Sequence, residues 1–382
     1  RLSALDRVRN DRTYMDTQRA FSYLAGYGEG AELGHRFVVK NPAVYASAAF
    51  LGKVDTEEGF LREEGEKGSA APDIPRKAVP CPVCFVGDPA WFPEKVLAYW
   101  RQANRSEPVA YRQGENIVWL PDASQLESTV EHQPVARVQL TAERRTEAAD
   151  VAASVWKGFL SRTVRATGIL NGDLHPYRTA AQWGCCRREI RVDGWMRHWY
   201  EYVPGRLSVL AEEKIPLVVF FHGGSSSGLS GLYSHEWVQV AKERGFILAL
   251  PTGTMRRQDT LMPHPAWNAA RVEDHMDDEK FIRCMVEDLK RRYPVDSGRV
   301  YVCGHSMGAA MTQRAALAMP DLFTAAASNS GVVRGGFMGD FDTPGVREDL
   351  PIPIWIQMGE KDVGGGTLEN NPAAARTVAY WT

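Results

Sequence analysis

The chain has 382 residues, 44% hydrophobic and 24% charged, with a formal net charge of −2. This is the balance of a soluble globular protein with a substantial core, and it offers no overall field to gather nucleic acid or anionic lipid. No apolar run reaches the ~18–20 residues a membrane-spanning helix needs, and the length suits two domains at ~100–200 residues each.

The chain starts at Arg1 without a basic or apolar leader, which says nothing either way about export. Gly26-Tyr-Gly-Glu-Gly30 is the first tight glycine turn. Cys81-Pro-Val-Cys84 has C-x-x-C spacing, and with the vicinal pair Cys185-Cys186 it could make a four-thiolate zinc set. Against that, Cys84-Phe-Val86 reads as a strand, so buried or disulfide-bonded cysteine is the plainer reading. Val135 to Leu140 is a strand candidate, Glu147 to Arg165 a helix, and Gly168 to Gly184 a connector rich in turn residues.

A clearer block begins at Arg187. Glu189 to Asp193 and His198 to Pro204 alternate around Gly194, as a β-hairpin does. Pro216-Leu-Val-Val-Phe-Phe221 is a continuous apolar run, the mark of a strand buried on both faces of a parallel sheet, and His222-Gly223-Gly224 ends it. A helix (Glu236 to Arg244) and a second buried strand (Phe246 to Leu250) follow. Asp278 to Arg292 carries a helical stripe of Phe281, Ile282, Met285, Val286 and Leu289. Then come a strand (Arg299 to Cys303), a helix (Gly308 to Ala318) and strand candidates at Ala325 to Ser328 and Ile352 to Met358. Alternation of this kind predicts an α/β fold with a mainly parallel sheet and helices on both faces.

The first half repeats this plan. Gly26-Tyr-Gly-Glu-Gly30 matches Gly304-His-Ser-Met-Gly308 at a separation of 278 positions, which also aligns Ala31 with Ala309, Arg36 with Arg314 and Pro42 with Pro320. Further on, Val83 to Gly87 resembles Ile354 to Gly359, and Ala98-Tyr-Trp100 resembles Ala379-Tyr-Trp381. Shared order across so many matches predicts a partial duplicated domain at the N-terminus. Residues 1–167 are then the rear part of one copy, 168–186 the connector, and 187–382 the front and middle of another.

Chemistry concentrates in the second copy. Gly304-His305-Ser306-Met307-Gly308 is a G-x-S-x-G motif between a strand and a helix, the setting in which a strained turn lifts a nucleophilic hydroxyl clear of the sheet. The Met307 N–H would then face the developing oxyanion, and the Gly224 N–H would be a second donor, free of side-chain obstruction. Asp362, after a strand, suits the acid that orients a catalytic imidazole in the chain order Ser, acid, His; Glu360 competes for that role. All nine histidines precede Asp362, so the base is expected outside this chain, with His235, His264 and His275 as substitutes. In the first copy Gly28 replaces the serine and Glu29 follows it, so that copy is expected to be catalytically dead.

These motifs resemble the polyhydroxybutyrate depolymerase and feruloyl esterase-like group of α/β-hydrolases. The likeness covers Arg187 to Thr382 and rests on Val192-Asp-Gly, Tyr200-Glu-Tyr-Val-Pro204, Phe221-His-Gly-Gly224, Ala266-Trp-Asn268, Asp277-Asp278-x-x-Phe281-Ile282, Asp296-x-x-Arg299 through Gly308, and Met358-Gly-Glu-Lys-Asp362. The resemblance implies a serine carboxylic-ester hydrolase acting on a polyester or on feruloyl or acetyl esters of polysaccharide. By that likeness Ser306 is the nucleophile, Asp362 the acid and Gly224 and Met307 the oxyanion donors. Trp267 and His305 are candidate substrate contacts. The resemblance also implies secretion, and the chemistry requires no metal or organic cofactor. The two copies are expected to pack pseudo-symmetrically. The rival expectation is a non-catalytic binding or scaffold protein with two pseudo-hydrolase domains.

Overall fold

The computed structural model describes residues 22–66, 79–122, 135–143, 148–165, 174–205, 213–224, 226–255, 265–273, 275–332, 340–342, 345–347, 349–359, 362 and 370–382. Two compact units divide at Tyr177 and Arg178, inside the stretch expected as a connector.

In the first unit β1 (Tyr23–Tyr27) leads through a one-residue bend into α1 (Glu29–Lys40), then β2 (Ser47–Leu51) and α2 (Glu58–Glu66). β3 (Val83–Val86), α3 (Glu94–Ala103), β4 (Tyr111–Gln113), β5 (Asn116–Trp119) and β6 (Val138–Thr141) complete a sheet of order β1-β2-β3-β6-β5-β4. β1, β2, β3 and β6 are parallel, and among the described residues β1 is an edge strand. The helix expected over Glu147 to Arg165 is shorter: α4 is Ala148–Gly158, and Thr163–Arg165 forms β7, paired with β8 (Leu174–Pro176) inside the expected connector. Gly158 weakens the helix end and β-branched Thr163 and Val164 favour the pleat. Cys81 and Cys84 are free, buried thiols in two different core clusters, so the C-x-x-C pair does not converge.

The second unit opens with α5 (Ala180–Trp183) and the hairpin β9 (Cys185–Val192) and β10 (Trp195–Tyr202). Asp193 and Gly194 both have positive φ, the conformation a two-residue hairpin turn demands. There follow β11 (Ile215–Phe221), α6 (Gly228–Ser234), α7 (Trp237–Arg244), β12 (Ile247–Pro251) and the short pair β13 (Thr254–Met255) and β14 (Pro265–Ala266). The rest is α8 (Asp278–Arg292), β15 (Val295–His305), α9 (Met307–Ala318), β16 (Ala325–Asn329), β17 (Ile354–Gln357) and α10 (Pro372–Trp381). The sheet order is β17-β16-β15-β11-β12-β10-β9, parallel from β17 to β12.

The predicted stripe of α8 is wholly buried, in one core with Leu217, Val219 and Phe221 of β11 and Val300 and Val302 of β15. Asp277 caps α8 through the Lys280 N–H, and Lys290, Arg291 and Arg292 close its last turn, each suited to the helix dipole. α9 differs: it is buried all round from Met307 to Leu317, and its run of Gly and Ala lets it lie close against the sheet.

Chain direction decides where a ligand fits. β11 connects onward to β12 on one side, whereas β15 connects to β16 on the other. Between β11 and β15 the strand order switches, and the departing loops leave a crevice at the carboxyl ends of the strands. His222-Gly223-Gly224 and Ser306 lie at those two ends.

Candidate active site

Ser306 is the single residue between β15 and α9, with φ 57° and ψ −117°. An L-residue rarely holds this conformation, and its persistence signals a bend fixed by the surroundings. The clamps are largely main chain. The Ser306 N–H donates to the Asn329 carbonyl (2.9 Å), and its own carbonyl accepts from the Ala309 N–H (3.0 Å). Three glycines make room. A Cβ at Gly304 would lie 2.3 Å from the Gly308 oxygen, one at Gly308 2.0 Å from the Phe221 oxygen, and one at Gly331 2.3 Å from the Ser306 oxygen.

Ser306 is half-buried, and its hydroxyl makes no hydrogen bond to a described residue. Met307 is buried at the first position of α9, where no helical carbonyl reaches its N–H. A Cβ at Gly223 would sit 3.4 Å from both the Ser306 Cβ and the His305 Nδ1, so the loop after β11 flanks the serine directly. Neither the Met307 nor the Gly224 amide donates to a described residue. Two amides without a described acceptor and one unbonded hydroxyl thus lie on the two loops that border the switch point.

Asp362 lies past β17 and bends back, accepting the Gly359 N–H at 2.8 Å. Burial pulls the His305 imidazole below its ordinary pKa, and the nearby Asp362 charge opposes that shift. The carboxylate therefore stands near the residue preceding Ser306; Glu360 and His264 lie outside the described residues. His235 packs against Phe220 and faces His305 at 5.6 Å between ring centroids, and burial first, then His305, lowers its pKa to about 4. Among the described residues no histidine bonds to the Ser306 hydroxyl. Nor does any group of three His, Cys, Asp or Glu side chains converge as a metal set among them.

Trp267 corrects an expectation. Its side chain is fully buried, packed at a tilt against the Phe221 and His222 rings, and its Nε1–H donates to the His222 carbonyl at 2.8 Å. A ring with no exposed surface cannot line a cleft; it holds the loop after β11 from beneath. Sequence reasoning also missed the support below it. Buried Arg197 pairs with buried Asp278 at 2.5 Å, Asp278 accepts the Asn268 N–H at 2.7 Å, and the guanidinium lies 4.0 Å over the Phe281 ring. The one signal was two acidic residues at the start of α8, where Asp277 caps and Asp278 turns inward.

The same bend occurs in the first unit without its chemistry. Gly28, between β1 and α1, has φ 57° and ψ −125°. Its N–H donates to the Leu51 carbonyl at 2.9 Å, the counterpart of Ser306 to Asn329. Ala46 to Ser22 (2.8 Å) parallels Thr324 to Val300 (2.7 Å), and Ala48 to Pro82 parallels Ala326 to Pro353 (2.9 Å each). Even a side-chain bond recurs: Trp100 Nε1 donates to His35 Nε2 at 2.8 Å, and Trp381 Nε1 to Gln313 Oε1 at 3.3 Å.

A parallel sheet carrying a strained serine turn at its switch point, backed by a buried helix, defines the second unit as an α/β-hydrolase domain. Residues 194–375 match the Esterase family model. The chain is 33% identical to feruloyl esterase B of Talaromyces funiculosus over 135 residues, 35% of this chain and 36% of that one. It is 28% identical to acetylxylan esterase A of Aspergillus oryzae over 152 residues, 38% of this chain and 45% of the other. Among solved structures it is similar to an acetyl xylan esterase from Aspergillus awamori, at 24% identity and TM-score 0.32, covering 40% of this chain and 54% of that one. The chain spans about a third to a half of the length of the curated relatives it matches. Among the described residues no helix is long and apolar enough to cross a membrane.

Proposed function

We propose that the second unit is a serine carboxylic-ester hydrolase that works through an acyl-enzyme. The Ser306 oxygen attacks the ester carbonyl, its proton passes to a base, and the tetrahedral oxyanion is held by the Met307 and Gly224 amides. Collapse expels the alcohol, and water then releases the acid. Asp362 is the acid that would orient an imidazole brought against Ser306. The bend at Ser306, beside a Gly223 whose added Cβ would lie 3.4 Å from the serine Cβ, is the observation that carries this reading.

The substrates named for the relatives, feruloyl and acetylxylan esters, favour acyl groups on plant polysaccharide over a polyester such as polyhydroxybutyrate. Secretion follows from the same reading. For the first unit we propose descent from a common ancestor with loss of the nucleophile at Gly28, leaving a non-catalytic copy. Labelling with a fluorophosphonate, followed by peptide mapping, tests the assignment: the adduct is expected on Ser306 alone, and an adduct on another serine would overturn it.

A further inference from the structure

The imidazole of His222 is 1% exposed, and both its nitrogens are engaged. Nδ1 lies 2.7 Å from the Gly223 carbonyl, which can only accept, so Nδ1 carries the proton. Nε2 accepts the Gly253 N–H at 2.9 Å, which requires a lone pair there. These two partners fix one neutral tautomer and bar His222 from acting as the base. Burial favours the neutral ring further, holding its pKa at about 4.

The Gly223 carbonyl belongs to the same rigid peptide plane as the Gly224 N–H, and in a trans peptide the two lie on opposite edges. Two consecutive glycines leave that plane free to rotate unless something holds it. What holds it is the imidazole, with the Ser226 N–H as a second donor to the same oxygen at 3.3 Å. Trp267 fixes the preceding plane through the His222 carbonyl, and Gly253 anchors the far side of the ring to the loop after β12.

We propose that His222 is a positioning residue for ester hydrolysis: its Nδ1–H locks the Gly223–Gly224 peptide so that the Gly224 amide is presented beside Ser306. The role rests on the hydrolase reading above. It predicts which half of the imidazole matters. Asparagine can place an N–H where Nδ1 stood but leaves the Gly253 amide unpaired, whereas glutamine can accept from Gly253 but offers Gly223 no donor.

Steady-state hydrolysis of p-nitrophenyl acetate by the protein extended past Thr382, where the base is expected, tests this, with folding of each variant checked by its thermal midpoint. H222Q and H222A are expected to lose about 10²-fold in kcat with KM within about threefold, as when one oxyanion donor is misplaced, while H222N stays within about tenfold of wild type. H222Q matching H222N, or all variants matching wild type, would overturn the role of His222. Wild type inert to both the ester and a fluorophosphonate would instead sink the hydrolase reading. Nitrogen-15 NMR of the wild-type ring reads the geometry without turnover: the Nδ1–H tautomer is expected between pH 6 and 8, and an Nε2–H tautomer refutes the proposal.

Discussion

The two bends of this chain share one backbone and differ in what stands beside them. At Ser306 the bend lies inside the sheet, with β11 on one flank and β16 on the other; at Gly28 it ends a strand that is at the edge of the sheet among the described residues. The glycines that follow record the difference. A Cβ at Gly308 would strike the Phe221 carbonyl at 2.0 Å, whereas one at Gly30 meets nothing within 4 Å. A nucleophile turn alone is therefore half a site. The second wall, with its donor amide, comes from the neighbouring strand, and the first unit has none beside β1 among the described residues.

The sharpest way to break that contrast is chemical. Ser306→Ala should lower ester hydrolysis by roughly 10⁴–10⁶-fold. Gly28→Ser should gain no phosphonate label, and labelling there would show the neighbouring wall to be dispensable. Next in size is steric. Gly308→Ala should destabilise the second unit by roughly 3 kcal/mol or more through overpacking against β11, while Gly30→Ala should stabilise α1 by about 0.5–1 kcal/mol. Hydrogen exchange of the α9 and α1 amides separates the two effects within the intact chain.

Acid should weaken both units over overlapping windows. Burial holds His222 at about 4 and, with Arg36 adding to it, His35 at about 3. Below ~6.5 the unfolded chain binds protons that these native rings refuse, so stability falls with pH by up to ~1.4 kcal/mol per unit for each. The loss should level off near pH 4 around His222 and continue toward pH 3 around His35. Equal pH profiles for local exchange near the two rings would remove the distinction. Smallest is strain: Ser306→Gly should stabilise by about 1 kcal/mol while destroying activity, and Gly28→Ala should destabilise by a similar amount. Denaturant titration checks both.

Sequence carried the strands that are buried on both faces, because continuous runs such as Leu217 to Phe221 have one good environment. It carried α8 through its stripe, and the hairpin through Asp193-Gly194. The stretch after Gly158 was misjudged because periodic apolar residues continue through Phe159, Leu160 and Val164, and only pairing with Leu174–Pro176 decides for a strand. At the site, the local feature was legible and the tertiary ones were not. A serine between glycines speaks for itself, but whether Trp267 faces a cleft or the His222 carbonyl depends on how the loop after β14 crosses the sheet end. The Arg197–Asp278 pair joins residues far apart in the chain, and neither residue type signals the other.

One consequence concerns durability. The bend is shaped by peptide groups and by missing methyls, so most changes of side chain leave it untouched. On the descent proposed for the first unit, such a device outlasts the reaction it served, its torsions kept at Gly28. Scanning other proteins for that torsion pair between a strand and a helix, without requiring a serine, would uncover relics that a motif search passes by.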